Sequence, residues 1–288
     1  MRTSKRLRKV EYLTLLLSFV MTLPSCVLMN QETIIGERNI VTVRHENVKG
    51  ITDIEASSIV EIKVIQSDVQ FVEISANENI MPFVQMKQKG HKLLLFMDDK
   101  YQYKEAEILV KISTPRIDAI ELSGAAEASF VGEWKSDNLS IRMSGATELK
   151  DLKANALETF ISLSGATEFS GIFESKSTTV SMSGASEANV QLLNNDKCSL
   201  QLSGASNLEI GGNSQNLSLN ASGSSDIEAK KLYAEKANID LSGASSSKVY
   251  AGRQISYTLS GASSLDIYGD ANVVHQKSSR TSSVTRHN

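Results

Sequence analysis

The sequence is poor in residues that usually carry catalysis, metal binding or covalent cross-links. Its 288 residues include two cysteines, four histidines and one tryptophan. His45, His91, His275 and His287 are scattered, and no Cys-x-x-Cys, His-x-x-x-His, phosphate-binding glycine loop or EF-hand pattern occurs. We therefore predict no cofactor, and histidine-assisted catalysis has no grouped residues to support it.

Long apolar runs are also missing. The first residues are basic and lead into an apolar stretch of eleven residues from Leu13 to Leu23. A helix that crosses a bilayer needs about twenty apolar residues. The pattern therefore predicts a secretory signal peptide over residues 1–25 rather than a permanent transmembrane helix.

The signal region ends in "LPSC", which resembles a bacterial lipobox. We predict a lipid anchor at Cys26 and a tether over residues 26–36; a cleaved signal beside an incidental cysteine is the alternative. Lipidation would leave Cys198 without a disulfide partner, and a lone thiol with no histidine beside it predicts a small core residue. The predicted location is the cell envelope, lipid-anchored at the outer membrane, on either its periplasmic or its surface face.

The chain has no excess of positive charge. It contains 30 Lys and Arg against 33 Asp and Glu, and loss of the basic leader would make the remainder more acidic. Nucleic-acid binding needs clustered Lys and Arg to neutralise phosphates. We therefore predict no nucleic-acid partner, and the predicted membrane contact is the lipid anchor.

What the sequence does contain is a short motif, Ser-Gly-Ala or a close variant, repeated at intervals of 18 to 21 residues. Its glycines are Gly124, Gly145, Gly165, Gly184, Gly204, Gly223, Gly243 and Gly261. A period near twenty is typical of a solenoid. Apolar residues stand four and two positions before each glycine with a polar residue between them, as expected for a half-buried strand.

Each repeat predicts a strand, a tight corner, a second strand and a variable return segment. Glycine accepts a positive φ at the corner at little cost, and the serine before it can bond local backbone. The alanine after it is small enough for coils to stack about 4.8 Å apart. We therefore interpret the glycines as structural turn residues and the serines as corner residues rather than nucleophiles.

The repeats define the predicted domain organisation of an all-β protein. Solenoid coils cover residues 119–275, and a degenerate last coil and tail cover 276–288, with Arg280 in the glycine place. Residues 37–118 form a β-rich N-terminal portion in which Ser58 takes the place of a corner glycine. This portion is either a set of early coils or a separate sheet.

One column of acidic residues is a candidate site. Glu127, Glu148, Glu168 and Glu187 each stand three residues after a corner glycine, so in stacked coils they would lie about 4.8 Å apart. They could bind an ion, since carboxylates coordinate Ca²⁺, or a glycan. A solvated face relieved by nearby lysines is the simpler interpretation. A retaining glycosidase pair at about 5 Å is disfavoured, because repeated environments do not separate two pKa values.

Several features resemble the putative auto-transporter adhesin, head GIN domain family, a domain of unknown function in envelope lipoproteins. They are the lipoprotein-like leader, the opening "IEASSIVEIKVIQ", the repeated "LSGA" corners and the closing "GDANVVHQKSSRTSSV". The resemblance runs from about residue 39 to 284. The resemblance implies a right-handed parallel β-helix-like solenoid in the cell envelope. It brings no catalytic residues to this chain.

Three functional hypotheses follow. The preferred one is a non-enzymatic adhesion module on a rigid solenoid that binds a glycan or an envelope or host protein. The alternative is a carbohydrate-active β-helix enzyme that cleaves polysaccharides, which rests on fold analogy alone. The third is a regulatory envelope lipoprotein that binds another envelope protein.

Overall fold

The structure is a computed structural model and describes residues 31–287. The predicted signal peptide, Cys26 and the first part of the predicted tether lie outside the described residues. The part that is described consists almost entirely of β-strands. It holds no helix with the length and apolar character that a membrane crossing requires.

The N-terminal region contributes nine strands and a single turn of 3-10 helix. They are β1 (Thr33–Ile35), β2 (Ile40–His45), β3 (Asp53–Ala56), β4 (Glu61–Gln66), β5 (Phe71–Asn77), η1 (Met81–Phe83), β6 (Val84–Lys89), β7 (Lys92–Met97), β8 (Gln102–Lys104) and β9 (Ile108–Thr114). Strands β1 and β8 form a small parallel sheet, and the others belong to one large sheet shared with the rest of the described chain.

The repeats supply the remaining strands. They are β10 (Ala119–Leu122), β11 (Glu127–Val131), β12 (Trp134–Gly145), β13 (Glu148–Gly165), β14 (Glu168–Met182), β15 (Glu187–Leu202), β16 (Asn207–Ala221), β17 (Asp226–Leu241), β18 (Ser246–Leu259), β19 (Ser264–Tyr268), β20 (Asn272–Ser278) and β21 (Ser283–His287). Successive coils pair in parallel, and the register aligns equivalent corner residues, as at Gly145 and Gly165. The β-solenoid with coils of about twenty residues is confirmed.

The return segments are strands as well. Each of β13 to β17 runs from just after one corner, through the return segment, to the next corner. Register shifts interrupt the pairing there, for example between Leu192 and Asn195 of β15. Bulges thus absorb the differences in coil length, and the ladder hydrogen bonds resume on either side.

The core lies inside the coils and is filled by the inward positions of the alternating strands. Ile141 and the apolar residues stacked above and below it are almost completely buried. Aromatic rings fill part of the early coils: Phe130 meets Trp134 edge to face at 6.0 Å between centroids, and Phe169 stacks on Phe173 at 6.1 Å. This continuous apolar interior is the main source of stability.

The N-terminal region joins the stack and closes its first end. Strands β3 and β4 form a coil with Ser58 at its corner and pair in parallel with β10 and β11. Strands β7 and β9 pair in parallel with the outer side of β3 and β4. The last layers are antiparallel, with β6 added to β7, and β5 and then β2 added to β9. Residues 37–118 therefore combine early solenoid layers with an antiparallel cap.

The C-terminal end carries one further partial coil. Strands β20 and β21 pair with β18 and β19. Arg280 at its corner does not take the positive φ of the glycine corners. Instead of the backbone N–H used elsewhere, the hydroxyls of Ser279 and Thr281 donate to the carbonyl oxygen of Gly261. At this degenerate corner side-chain bonds therefore supplement the backbone bonds from the N–H groups of Ser279 and Ser283 to the carbonyl oxygens of Leu259 and Ser263.

Candidate functional site

The corner glycines are held by contact with the preceding coil. Their φ angles lie between 70° and 89°, and a Cβ added at Gly184 would lie 2.6 Å from the carbonyl oxygen of Gly165. The N–H of Ala185 donates to that same oxygen at 2.8 Å. Glycine alone combines this φ with so close an approach, which gives the repeated motif a structural cause.

The hydroxyl that ties the corner comes from a different serine than the sequence suggested. Ser206, two residues after Gly204, is buried, and its Oγ donates to the carbonyl oxygen of Ser203 at 2.8 Å. The same bond is made by Ser186, Ser225, Ser245 and Ser263. Ser203 itself is half-buried, and its Oγ lies 3.4 Å from the carbonyl oxygen of Met182 in the coil before. The prediction that the serine before the glycine makes a hydrogen bond within its own turn is therefore wrong.

The candidate glutamates lie in register on the outer face of the stack. Glu127 is aligned with Glu148, Glu148 with Glu168, and Glu168 with Glu187. The column also begins one coil earlier, because Glu61 is aligned with Glu127. These five side chains are exposed or half-buried, so water reaches the whole column.

Sequence reasoning missed Glu61 although a signal for it was present. Glu61 stands three residues after Ser58, and Ser58 occupies the corner place with a φ of 74°. Beyond the glutamates the column continues with Asn207 and Asp226. The uninterrupted run of glutamates is thus limited to the first half of the solenoid, and Asp226 is a single acidic residue beyond it.

Lys150 offsets part of the charge of this column. Its ammonium group pairs with Glu148, and the pKa of Lys150 is raised by that hydrogen bond and, more weakly, by the nearby carboxylates of Glu168 and Glu127. Across residues 31–287 no group of three or more His, Cys, Asp or Glu side chains is placed to hold a metal ion. The geometry is that of a solvated acidic face with one bound lysine.

At its N-terminal end the column borders a hollow of about 560 Å³. Glu61, Glu107 and Glu127 line it together with aliphatic residues such as Ile59 and Ile108, and none of its lining residues is aromatic. Sugar-binding clefts commonly place ring faces against the ligand. This hollow therefore offers acceptor oxygens but no stacking surface.

A longer concave surface, the serine groove, runs beside the corners with a volume of about 590 Å³. Two outward columns of polar residues line it. They are Ser162, Ser181, Gln201, Asn220, Asp240 and Thr258, and Ser183, Ser203, Ser222, Ser242 and Ser260. Apolar residues between the columns, such as Leu202, form part of its floor. Each successive coil thus presents similar hydroxyl and amide groups to the groove.

Cys198 belongs to the core. It is fully buried, and burial raises the pKa of its thiol to about 12 because the thiolate would lose its hydration. The thiol stays protonated at neutral pH and lies in register with Thr178 and Leu217 of the neighbouring coils. Such a thiol is a poor nucleophile.

Comparison with known proteins places these features in context. Residues 50–174 and 160–271 each match the family described as putative auto-transporter adhesin, head GIN domain. No curated protein matches the sequence significantly.

Solved structures show the same fold at low sequence identity. A putative adhesin from Parabacteroides merdae ATCC 43184 superposes with a TM-score of 0.67 at 16% identity, over 89% of this chain and all (100%) of that one. A putative adhesin from Parabacteroides distasonis ATCC 8503 gives 0.67 at 18% identity, with the same coverage of 89% and 100%. A putative lipid binding protein from that strain gives 0.60 at 17% identity, again over 89% and 100%. At these identities the similarity concerns the fold.

Proposed function

The chain belongs to the putative auto-transporter adhesin, head GIN domain family, and from this premise we propose that it is a non-enzymatic binding module of the cell envelope that holds an extended ligand in the serine groove. In this proposal the signal peptide exports the chain and Cys26 anchors it to the outer membrane. The stacked coils then act as a rigid support for the groove.

The repetition of polar groups along the serine groove carries the proposal. The groove follows the direction in which the coils stack, and each coil adds hydroxyl or amide groups at equivalent places. A ligand with repeating polar groups, such as a glycan or an extended polypeptide, would therefore meet a matching series of donors and acceptors. The ligand is proposed to bind by many weak hydrogen bonds rather than in one deep pocket.

The composition of the groove favours binding over cleavage. Asp240 is the one carboxylate among its lining residues, whereas glycoside hydrolysis uses a pair of carboxylates. The acidic column lies outside the groove lining and, with Lys150 beside Glu148, has the character of a solvated face. Release of reducing ends from polysaccharides by the purified chain, abolished by Glu148→Gln or Glu168→Gln, would replace the proposal with an enzymatic function.

The test is an adhesion measurement with a matched surface control. Beads coated with the full chain are exposed to surfaces bearing mucin or an extracellular matrix protein, and the bound fraction is counted. Asn220→Lys in the groove should reduce binding about tenfold, a loss typical of a central contact. Asn238→Lys, an exposed position outside the groove, should leave binding unchanged. Equal binding by the two variants would contradict the assignment of the groove.

A further inference from the structure

Aromatic side chains form a ladder on the outer face of the last coils. Tyr233 is in register with Tyr250, Tyr250 with Tyr268, and Tyr268 with His287. We call these four residues the aromatic ladder. The rings of Tyr233 and Tyr250 meet edge to face with centroids 4.8 Å apart, and Tyr268 stacks on His287 at 4.4 Å with 9° between the planes.

A bulge in β17 completes this ladder. Tyr250 and Tyr268 each follow a corner glycine by seven residues, but Lys230 stands at the equivalent place in β17. The register shift between Ala229 and Tyr233 moves Tyr233 into the column occupied by Tyr250. The ladder therefore spans more coils than the sequence spacing indicates.

The ladder does not serve the core. Tyr233 is 60% exposed, and Tyr250 and Tyr268 are half-buried on the outer face. The ring of Tyr250 lies against the backbone of the next coil, where a Cβ at Gly269 would approach its Cζ to 3.0 Å. Exposed tyrosines held in fixed positions are a common feature of binding surfaces, because they offer large contact area at a low cost in conformational entropy.

Polar groups border one side of the ladder at regular positions. Lys248 stands two residues before Tyr250 and pairs with Glu228. Asp266 stands two residues before the next tyrosine, and its Oδ1 is 3.0 Å from Nε2 of His287. Side chains two apart on a strand share a face, so hydrogen-bonding groups lie directly beside the rings.

The opposite side of the ladder is also polar. Glu235, two residues after Tyr233, pairs with Arg253 at 3.4 Å. The ion pairs of Lys248 with Glu228 and of Arg253 with Glu235 cancel each other's charge, and Asp266 shares a hydrogen bond with His287, so the border carries little net charge. Between residues 225 and 287, Tyr233 and Val274 are the large hydrophobic residues that are strongly exposed.

We propose that the aromatic ladder is a binding site for a neutral glycan. The apolar face of a sugar ring would pack on the exposed ring of Tyr233, and the sugars that follow would contact the outward edges of Tyr250 and Tyr268, because Tyr268 is already stacked on His287. The hydroxyl groups would exchange hydrogen bonds with Lys248 and Asp266. One sugar ring is similar in length to the coil spacing of about 4.8 Å, so a glycan aligned with the stacking direction meets a new ring at each coil. The paired charges of the border favour a neutral glycan over a charged one.

The surroundings of the ladder favour a glycan over a protein partner. A stable protein interface usually has an apolar centre and buries about 800 Å² on each side. The exposed apolar surface here is a single row of rings bordered by ion pairs. The site lies apart from the serine groove, so this inference goes beyond the proposed function.

The experiment is affinity electrophoresis of the full chain in native gels that contain a soluble β-glucan, xylan, mannan or galactan. At least one of these polysaccharides should retard the chain. Tyr233→Ala, at an exposed position that folding does not require, should weaken the apparent affinity about tenfold. Tyr250→Ala should act in the same way, whereas Tyr250→Phe keeps the ring and should keep most of the binding.

Two controls separate this site from other surfaces. Phe160→Ala removes a ring that is 45% exposed in β13, outside the ladder, and should leave the retardation unchanged. Asn220→Lys in the serine groove should also leave it unchanged. Thermal unfolding followed by circular dichroism should give each variant a melting temperature near that of the parent.

Several outcomes would overturn the inference. They are the absence of retardation by every polysaccharide, and retardation that persists in both tyrosine-to-alanine variants. Retardation lost in Asn220→Lys but kept in Tyr233→Ala would assign the glycan to the serine groove and support the proposed function instead. Tyr233-dependent capture on mucin that survives enzymatic removal of its glycans would indicate a protein partner.

Discussion

The corner and the return segment of the same coil follow opposite rules. At the corner the same residue recurs, with φ between 70° and 89° and the same hydrogen bond to the coil before. In the return segment the lengths differ, the register shifts, and left-handed residues such as Asp151 and Asn194 appear at irregular places. Repetition therefore marks positions that stacking fixes, and coil-specific chemistry arises where the strands can bulge.

Space explains part of the difference, because the close approach recurs at every corner glycine but only at some positions of the return segment. A Cβ at Gly204 would lie 2.6 Å from the carbonyl oxygen of Gly184, whereas at Gly252 in a return segment the nearest atom would be 3.6 Å away. At these corners there is no room for a Cβ, so glycine recurs from coil to coil. The return segment varies: a Cβ would fit at Gly252, but at Gly212 it would lie 1.8 Å from the carbonyl oxygen of Leu192, so the constraint differs from coil to coil.

The largest effect is expected at a middle corner. Gly184→Val should lower the free energy of unfolding by about 3 kcal/mol, because the side chain meets backbone atoms at a φ of 77°. Gly252→Ala, in a return segment, should change it by less than about 0.5 kcal/mol. Urea denaturation of both variants measures the two values. Equal losses would show that the corner has no special constraint.

A second variant asks whether the return segment has constraints of its own. The buried side chain of Asn195 donates to the Ser175 carbonyl oxygen at 2.8 Å and to Thr178 Oγ1 at 3.0 Å, and accepts from Ser214 Oγ at 3.0 Å. Asn195→Leu should cost about 2 kcal/mol because it leaves buried polar groups unpaired. Exposed Asn238→Ala is the control in the same denaturation assay. A neutral Asn195→Leu would mean that these bonds add nothing to stability.

A third pair of variants resolves the corner itself. Ser206→Ala removes the short bond to the Ser203 carbonyl oxygen and should cost about 1 kcal/mol. Ser203→Ala removes a longer contact at 3.4 Å and should have a smaller effect in the same assay. A larger loss of stability for Ser203→Ala than for Ser206→Ala would show that the serine before the glycine stabilises the turn after all.

The smallest effect is expected on the outer face. Lys150→Gln leaves the column around Glu148 without its cation, so the melting temperature should fall slightly at low salt and recover at high salt. Since the folded pKa of Lys150 is raised above 10.5, its contribution should persist from neutral pH to about that value and fade as the pH rises through the folded pKa. A salt-independent change would contradict this electrostatic origin.

The solenoid was predictable because stacking imposes the same demand on every coil. The alternation of apolar and polar residues before Gly145 or Gly165 shows which side chains point into the core. The constant spacing of the glycines predicts which residues of neighbouring coils are aligned. The column of glutamates followed from the same logic. The serine groove could not be predicted in this way. The sequence shows which polar residues form its two columns, but its concave shape depends on the angle at which the strands on either side of the corner meet.

Other features depend on information that local patterns do not carry. Both Ser203 and Ser206 are small residues beside Gly204, and only the course of the turn decides which one is buried. Tyr233 reaches the aromatic ladder through a bulge that shifts its spacing from the glycine. Strand β7 pairs with β3, although other strands lie between them in the chain. No repeat in the sequence predicts this pairing.

That order bears on how the molecule assembles. Because β9 lies outside β4, and β5 and β2 are added outside β9, the base of the stack cannot be completed until the chain has been made as far as Thr114. Closing these long loops is the slow and costly step. Each later coil pairs with the coil that directly precedes it in the chain, so its folding requires only local contacts and the solenoid can be extended one coil at a time. A chain shortened near its C-terminus would lose coils at one end, whereas a chain damaged in its first third would lose the antiparallel layers that close the other end of the stack.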